Sequence, residues 1–241
     1  MTETGVRTEW VDLPVSDGTE MRAYVAYPEG APHAGLLIFQ EAFGVNHHIR
    51  NVAERYAAKG FLAIAPELFH RTGPGFEGDY TNFEPVRAHM MALTTEGTTA
   101  DLGATFDWLK GQNPGSIGAI GYCMGGRVAF LAGLTLPIQC AVSYYGGGIA
   151  PNPMGAGYLD RVNDLNCPVL MFWGGLDSHI GSEAYGAIDA ALKEAGKDYI
   201  NVVISKADHG FACDERASYN AEATEEALAL TMAFFGVHLD D

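Results

Sequence analysis

From residue 34 onward the chain alternates two patterns. A short continuous apolar run is followed by a longer stretch whose apolar residues recur three and four apart. The runs are Ala34–Phe39, Phe61–Ala65, Ile117–Ile120, Ile138–Tyr145, Pro168–Trp173 and Tyr199–Ile204. Runs without a polar phase mark strands buried on both faces. The stretches between them predict helices. One carries Ile49, Val52, Ala53 and Tyr56 on one face and stops at Gly60; another is capped by Asp101 and carries Leu102, Phe106 and Leu109. A third follows the run at 117–120, a short one precedes Pro168, and another begins at Ser182 and ends at Gly196. The last runs from about Ser218 to Phe235. Upstream, residues 7–28 alternate more loosely (Trp10, Leu13, Val15, then Met21, Ala23, Val25, Tyr27), which predicts two antiparallel edge strands turning at Ser16-Asp17-Gly18. Strands alternating with helices imply a mostly parallel twisted sheet with right-handed crossovers, covered on both faces. No repeat, linker or low-complexity tract interrupts the pattern, so residues 1–241 are read as a single α/β domain.

The pattern loosens once, between residues 67 and 99. Gly73, Pro74, Gly75 and Gly78 mark a long loop, and Pro85 to Leu93 predicts a short helix. Aromatic residues (Phe69, Phe76, Tyr80, Phe83) punctuate the stretch, which favours a lid over a disordered insert.

Reactive side chains fall where a parallel sheet binds its ligands, beyond the carboxyl ends of strands. Gly121-Tyr122-Cys123-Met124-Gly125-Gly126 follows one strand and opens a helix. Glycines two places either side of a single nucleophile form the G-x-S-x-G elbow, with cysteine in the serine's place. Asp177, in Gly174-Gly175-Leu176-Asp177, follows a later strand; His209, in Asp208-His209-Gly210-Phe211, follows the last. Nucleophile, acid, histidine is the chain order of α/β-hydrolases. His209 activates the thiol, and Asp177 fixes its tautomer; Asp208 is the competing acid but is adjacent in sequence. Glu41 ends the third strand, where the oxyanion-hole loop of this architecture lies, so the backbone N–H groups of Met124 and Ala42 are the candidates for holding an oxyanion.

Composition narrows the partners. With 30 acidic against 14 basic residues the formal charge is −16, a sign that disfavours nucleic acid and anionic membrane surfaces. The first residues lack a secretory-signal pattern, and no apolar run approaches membrane-spanning length. The cysteines (Cys123, Cys140, Cys167, Cys213) follow no CxxC spacing, and the other histidines (His33, His47, His48, His70, His89, His179, His238) form no metal motif. The expectation is a cytoplasmic protein with free thiols and neither metal nor cofactor.

Together, Gln40-Glu41-Ala42-Phe43-Gly44, the elbow at 121–126, Tyr144-Tyr145-Gly146, Gly175-Leu176-Asp177 and His209-Gly210-Phe211 resemble the dienelactone hydrolase family from about residue 8 to 235. The resemblance implies an α/β-hydrolase fold and a monomeric, cofactor-free hydrolase of enol-lactones or related esters, of the kind used in aromatic degradation. It implies Cys123, Asp177 and His209 as triad, with Glu41 contacting the resting thiol and taking part in its activation. The family clamps a substrate carboxylate with two arginines. Cys213 stands where one is expected, with Arg216 three residues further on, and Arg87 is the counterpart of the other; Tyr145 joins them as a substrate-binding position. Two other readings keep the scaffold: a general carboxylesterase or thioesterase with an uncharged pocket, and a non-hydrolytic binding or sensing protein.

Overall fold

The computed structural model describes residues 6–153 and 155–239. The first five residues, where no secretory signal was read, lie outside them. Two strands, β1 (Arg7–Pro14) and β2 (Glu20–Tyr27), pair antiparallel with Leu13 opposite Met21. The buried runs become β3 (Ala34–Phe39), β4 (Phe61–Pro66), β5 (Ile117–Tyr122), β6 (Cys140–Tyr144), β7 (Val169–Gly174) and β8 (Tyr199–Ile204). One eight-stranded sheet results, in the order β1-β2-β4-β3-β5-β6-β7-β8, parallel from β4 to β8. Every residue of β3 to β7 is buried, as their unbroken apolar sequences require.

The helices are α1 (His47–Ala57), α2 (Glu84–Ala92), α3 (Thr95–Gly111), α4 (Met124–Thr135), α5 (Ser182–Glu194) and α6 (Ala221–His238), with a 3-10 turn at Leu159–Asp164. Strand geometry shows which face each covers. A Cβ placed on Gly35 would meet Leu109 of α3 at 2.9 Å. Gly35 is in register with Ile117, and one placed on the next residue, Gly118, would meet Leu239, just past α6, at 3.1 Å. Successive side chains point to opposite faces, so α3 and the end of α6 sandwich the sheet. On the α6 side, Tyr56, Phe61 and Phe235 form a ring cluster with centroids 5.6–6.1 Å apart.

Two helix boundaries differ from the sequence reading. Thr94, not Asp101, caps α3: its Oγ1 accepts from Gly97 N at 3.0 Å. Asp101 lies inside the helix, fully buried, where Arg71 grips both its oxygens at 2.8 and 2.9 Å and His70 Nε2 lies at 3.1 Å. A capping residue type was needed there for an ion pair instead. Asn220 caps α6, accepting from Ala223 N at 3.1 Å, so this helix begins three residues later than predicted and runs on to His238. Among the described residues no helix is long and apolar enough to cross a membrane.

The strand order reverses between β3 and β5: the chain leaves β3 for β4 on one side and returns to place β5 on the other. At such a switch point the loops leaving the two strands diverge and open a crevice. Ala42 follows β3 and Cys123 follows β5, so topology alone brings the two together.

Candidate active site

Cys123 occupies the elbow with φ 54° and ψ −119°, a conformation L-residues rarely adopt and one that costs about 1–3 kcal/mol. Its surroundings hold it there. Cys123 N donates to Tyr144 O at 3.0 Å, and Gly126 N donates to Cys123 O at 2.9 Å. The flanking glycines are obligatory for space: a Cβ on Gly121 would sit 1.9 Å from Gly125 O, and one on Gly125 would sit 2.2 Å from Phe39 O. The turn therefore presses strand, helix and the end of β3 against one another. Cys123 is the only one of the four cysteines that is not buried, and it caps the N-terminus of α4, where unpaired N–H groups favour negative charge.

The loops after β7 and β8 complete a hydrogen-bonded chain. His209 Nε2 lies 3.1 Å from Cys123 Sγ, and His209 Nδ1 lies 2.8 Å from Asp177 Oδ2. The other oxygen of Asp177 accepts from His179 N at 2.8 Å and Ile180 N at 3.1 Å, which locks the carboxylate's orientation. Asp208 is occupied elsewhere, its Oδ1 accepting from His209 N at 2.6 Å. Burial opposes a charged His209, but the Cys123 sulfur and the Asp177 carboxylate outweigh it and push the imidazole up to about 10. Burial likewise works against an ionised Asp177; His209 and the two amides prevail and hold it below the usual carboxylate range.

A cavity of about 530 Å3 opens onto this chain. Its floor is Cys123, Met124, Ala42 and His209, and the excursion at 67–99 supplies a roof of Tyr80, Phe83, Met90, Met91 and Leu93. The roof is anchored by a small cluster of its own, Ala42, Phe43 and Val86. Arg87 and Arg216, both expected at the substrate, line the cavity. Tyr145 does not. It is fully buried behind His209, ring centroids 5.1 Å apart, with φ 40°, so it braces the histidine instead of meeting substrate.

Glu41 also departs from expectation. It is fully buried, and its Oε1 accepts from Arg216 Nη1 at 3.1 Å; the hydrogen bond of Cys123 goes to His209, not to Glu41. Glu41 shares a second buried group with His48 and Cys213, whose metal-ligating atoms lie within 4.8 Å of one another.

Sequence reasoning missed Arg127. It lines the cavity, and its Nε is buried without a hydrogen-bond partner. The signal was present: Arg127 is four residues after Cys123 at the start of a helix, hence on the same face. Met90 was missed because only the packed roof shows which residues of α2 turn toward the cavity; Met91, also at its edge, stays mostly exposed.

Comparison with known proteins extends over the whole fold. A family model described as the dienelactone hydrolase family matches residues 21–239. A protein of Synechocystis sp., provisionally named carboxymethylenebutenolidase, is 33% identical, covering 97% of this chain and 98% of its own. The carboxymethylenebutenolidase of Pseudomonas sp. (strain P51) is 30% identical, with 93% of each chain covered. The crystal structure of a provisionally named dienelactone hydrolase from Klebsiella pneumoniae subsp. pneumoniae superposes with a TM-score of 0.85 at 30% identity, over 96% of this chain and 99% of that one. Shared sequence and shared architecture thus extend from the first strands to the last helix, and this chain belongs to the dienelactone hydrolase family.

Proposed function

We propose that this family member, a hydrolase acting on ester or lactone bonds, uses Cys123 as its nucleophile and prefers substrates bearing a carboxylate. The observation that carries the proposal is the continuous chain Cys123–His209–Asp177, at 3.1 and 2.8 Å, facing a cavity lined by three arginines. The Cys123 thiolate attacks the carbonyl carbon, and the carbonyl π electrons move to oxygen. That oxyanion rests against the N–H groups of Met124 and Ala42. The tetrahedral intermediate collapses as the C–O bond to the leaving oxygen breaks and His209 gives that oxygen its proton. In a lactone the leaving oxygen stays tethered, so the acyl-enzyme holds the opened ring. Acylation also consumes the sulfur's charge, one of the causes holding His209 protonated. The neutral imidazole then takes a proton from water as the water oxygen attacks the thioester; the C–S bond breaks, the acid departs, and the thiolate is restored beside a protonated His209. Asp177 keeps Nδ1 as the donor throughout.

Arg127, Arg87 and Arg216 give the cavity its positive lining, since a guanidinium fork matches both oxygens of a carboxylate. A neutral-ester preference is the second reading, favoured by the apolar roof and by the engagement of Arg216 with Glu41. Turnover on substrate pairs differing only in a free carboxylate, a dienelactone against its methyl ester, separates the two. Preference for the acid supports the clamp; preference for the ester leaves the triad and retires the clamp. Absence of a thioester-linked acyl-enzyme by intact-mass analysis during turnover would refute the nucleophile.

A further inference from the structure

We infer that Glu41, His48 and Cys213 form a binding site for a zinc ion, separate from the catalytic cysteine. All three side chains are fully buried, and one ligating atom from each lies within 4.8 Å of the other two. Two polar atoms of the set, Glu41 Oε2 and His48 Nε2, are buried without a hydrogen bond of good geometry, and the His48 ring lies close enough to Cys213 for the sulfur to act on it. Buried carboxylate and imidazole atoms are nearly always satisfied, because leaving one bare costs about 1–3 kcal/mol. Two orphans beside a thiol therefore mark a place for an occupant.

The donor set selects its chemistry. Oxygen, nitrogen and sulfur together suit a borderline-soft ion, whereas magnesium and calcium take oxygen ligands. With zinc–ligand bonds of about 2.0–2.3 Å, tetrahedral ligands sit roughly 3.3–3.8 Å apart. The present spacing of up to 4.8 Å closes to that with side-chain shifts of well under an ångström each.

Two of the ligands are also held through their far side, as metal ligands usually are, and the third through its sulfur. His48 Nδ1 lies 3.3 Å from Asp214 Oδ1, and the other oxygen of Asp214 is gripped by Arg55 Nη2 at 2.6 Å. That fixes the imidazole with Nε2 turned toward Glu41 and Cys213. Glu41 binds Arg216 through Oε1, leaving Oε2 for the ion. Cys213 Sγ lies 3.3 Å from the Tyr80 hydroxyl, which accepts from Asn46 Nδ2 at 2.8 Å. Without metal the thiol donates to Tyr80. When the Zn–S bond forms, the thiol proton leaves to solvent, and the Tyr80 O–H turns to donate to the thiolate while still accepting from Asn46. No electron is transferred. Three protein ligands leave a fourth position for water. The ion would tie Glu41, and through it Arg216, at the wall of the catalytic cavity. It would tune substrate binding without touching the reacting atoms.

The spacing in sequence explains why no motif announced the site: 41, 48 and 213 come from the loop after β3, the first turn of α1 and the loop after β8.

The test is titration of chelator-treated protein with Co2+, followed by displacement with Zn2+. The expected result is one Co2+ per chain with a thiolate-to-cobalt charge-transfer band that Zn2+ abolishes. The band should be absent in Cys213→Ser, retained in Cys123→Ser, and reached in His48→Gln only at roughly tenfold higher Co2+ or more. Far-ultraviolet circular dichroism of each variant separates lost ligands from lost folding. A parent protein without the band would mean that water fills the gap. A band that follows Cys123 instead of Cys213 would place the metal on the catalytic pair. Either overturns the inference.

Discussion

Replacing Asp177 by asparagine tests the triad with almost no change of shape. The Oδ1 atom already accepts two backbone amides, at 2.8 and 3.1 Å. An asparagine oxygen must keep that position, because its amide group would otherwise face two N–H donors. The NH2 is then directed at His209 Nδ1, across what is now a 2.8 Å contact. Nδ1 becomes an acceptor, the ring proton moves to Nε2, and the nitrogen facing Cys123 can no longer take a proton. The ring also loses an opposite charge at close range, worth about 1–3 pKa units, or about 1.4–4 kcal/mol. From about 10 in the parent, the His209 titration should move down by that amount when followed by imidazole 15N NMR. Turnover of an aryl ester should fall about 10²–10⁴-fold. Linkage gives a third readout. The folded value lies above that of an unfolded histidine, about 6.5, so the pair's contribution to stability is complete below that pH and is lost as pH rises through about 10. The variant's stability should decline less across that alkaline window. Activity within about tenfold of the parent, together with an unmoved titration, would refute the assignment of Asp177 as the orienting acid.

Iodoacetamide should add one group to the native protein, at Cys123, and reach all four cysteines only after unfolding, as read by peptide mass mapping. The reason is burial: it removes access to Cys140, Cys167 and Cys213 and pushes the Cys167 thiol up to about 12. Cys123→Ser should keep the fold and lose most turnover, since a hydroxyl is far less ionised than a thiol at neutral pH; an active serine variant on an ester panel argues against the thiolate. Gly125→Ala would drive a Cβ to 2.2 Å from Phe39 O and 2.5 Å from Gln40 O. Backbone atoms cannot step aside cheaply, so a loss of about 1–3 kcal/mol or more is expected in urea unfolding, and an unchanged midpoint would mean the elbow is less tightly packed than described. Arg127→Leu should raise KM for a carboxylate-bearing substrate by about tenfold while leaving its methyl ester unaffected; equal effects on both would remove Arg127 from the clamp.

What sequence alone could supply follows a physical division. Continuous apolar runs specify strands because burial on both faces leaves no polar phase, and all six runs from 34 to 204 became strands of the sheet. That Cys123, Asp177 and His209 would meet was legible because each follows a strand, and strand ends converge at one edge of a parallel sheet. Features depending on contacts between distant segments were not. Asp101 has the side chain of a helix cap, and only the approach of Arg71 and His70 makes it a buried ion-pair member. Tyr145 sits in a motif beside the site, yet its ring is fully buried against His209. Glu41 was placed correctly in the chain, but its partner is Arg216, 175 residues away.

The anchoring of the roof constrains how this hydrolase can change its diet. Val86 of the roof and Ala42 of the loop after β3 belong to one apolar cluster with Phe43. Under the proposed mechanism selectivity and rate are therefore mechanically joined: whatever reshapes the roof also leans on the peptide proposed to hold the oxyanion. A graft of a relative's residues 80–93 that changes Val86 should lower kcat even on a substrate too small to touch the new roof. Restoring valine there should return the rate while the new substrate range persists.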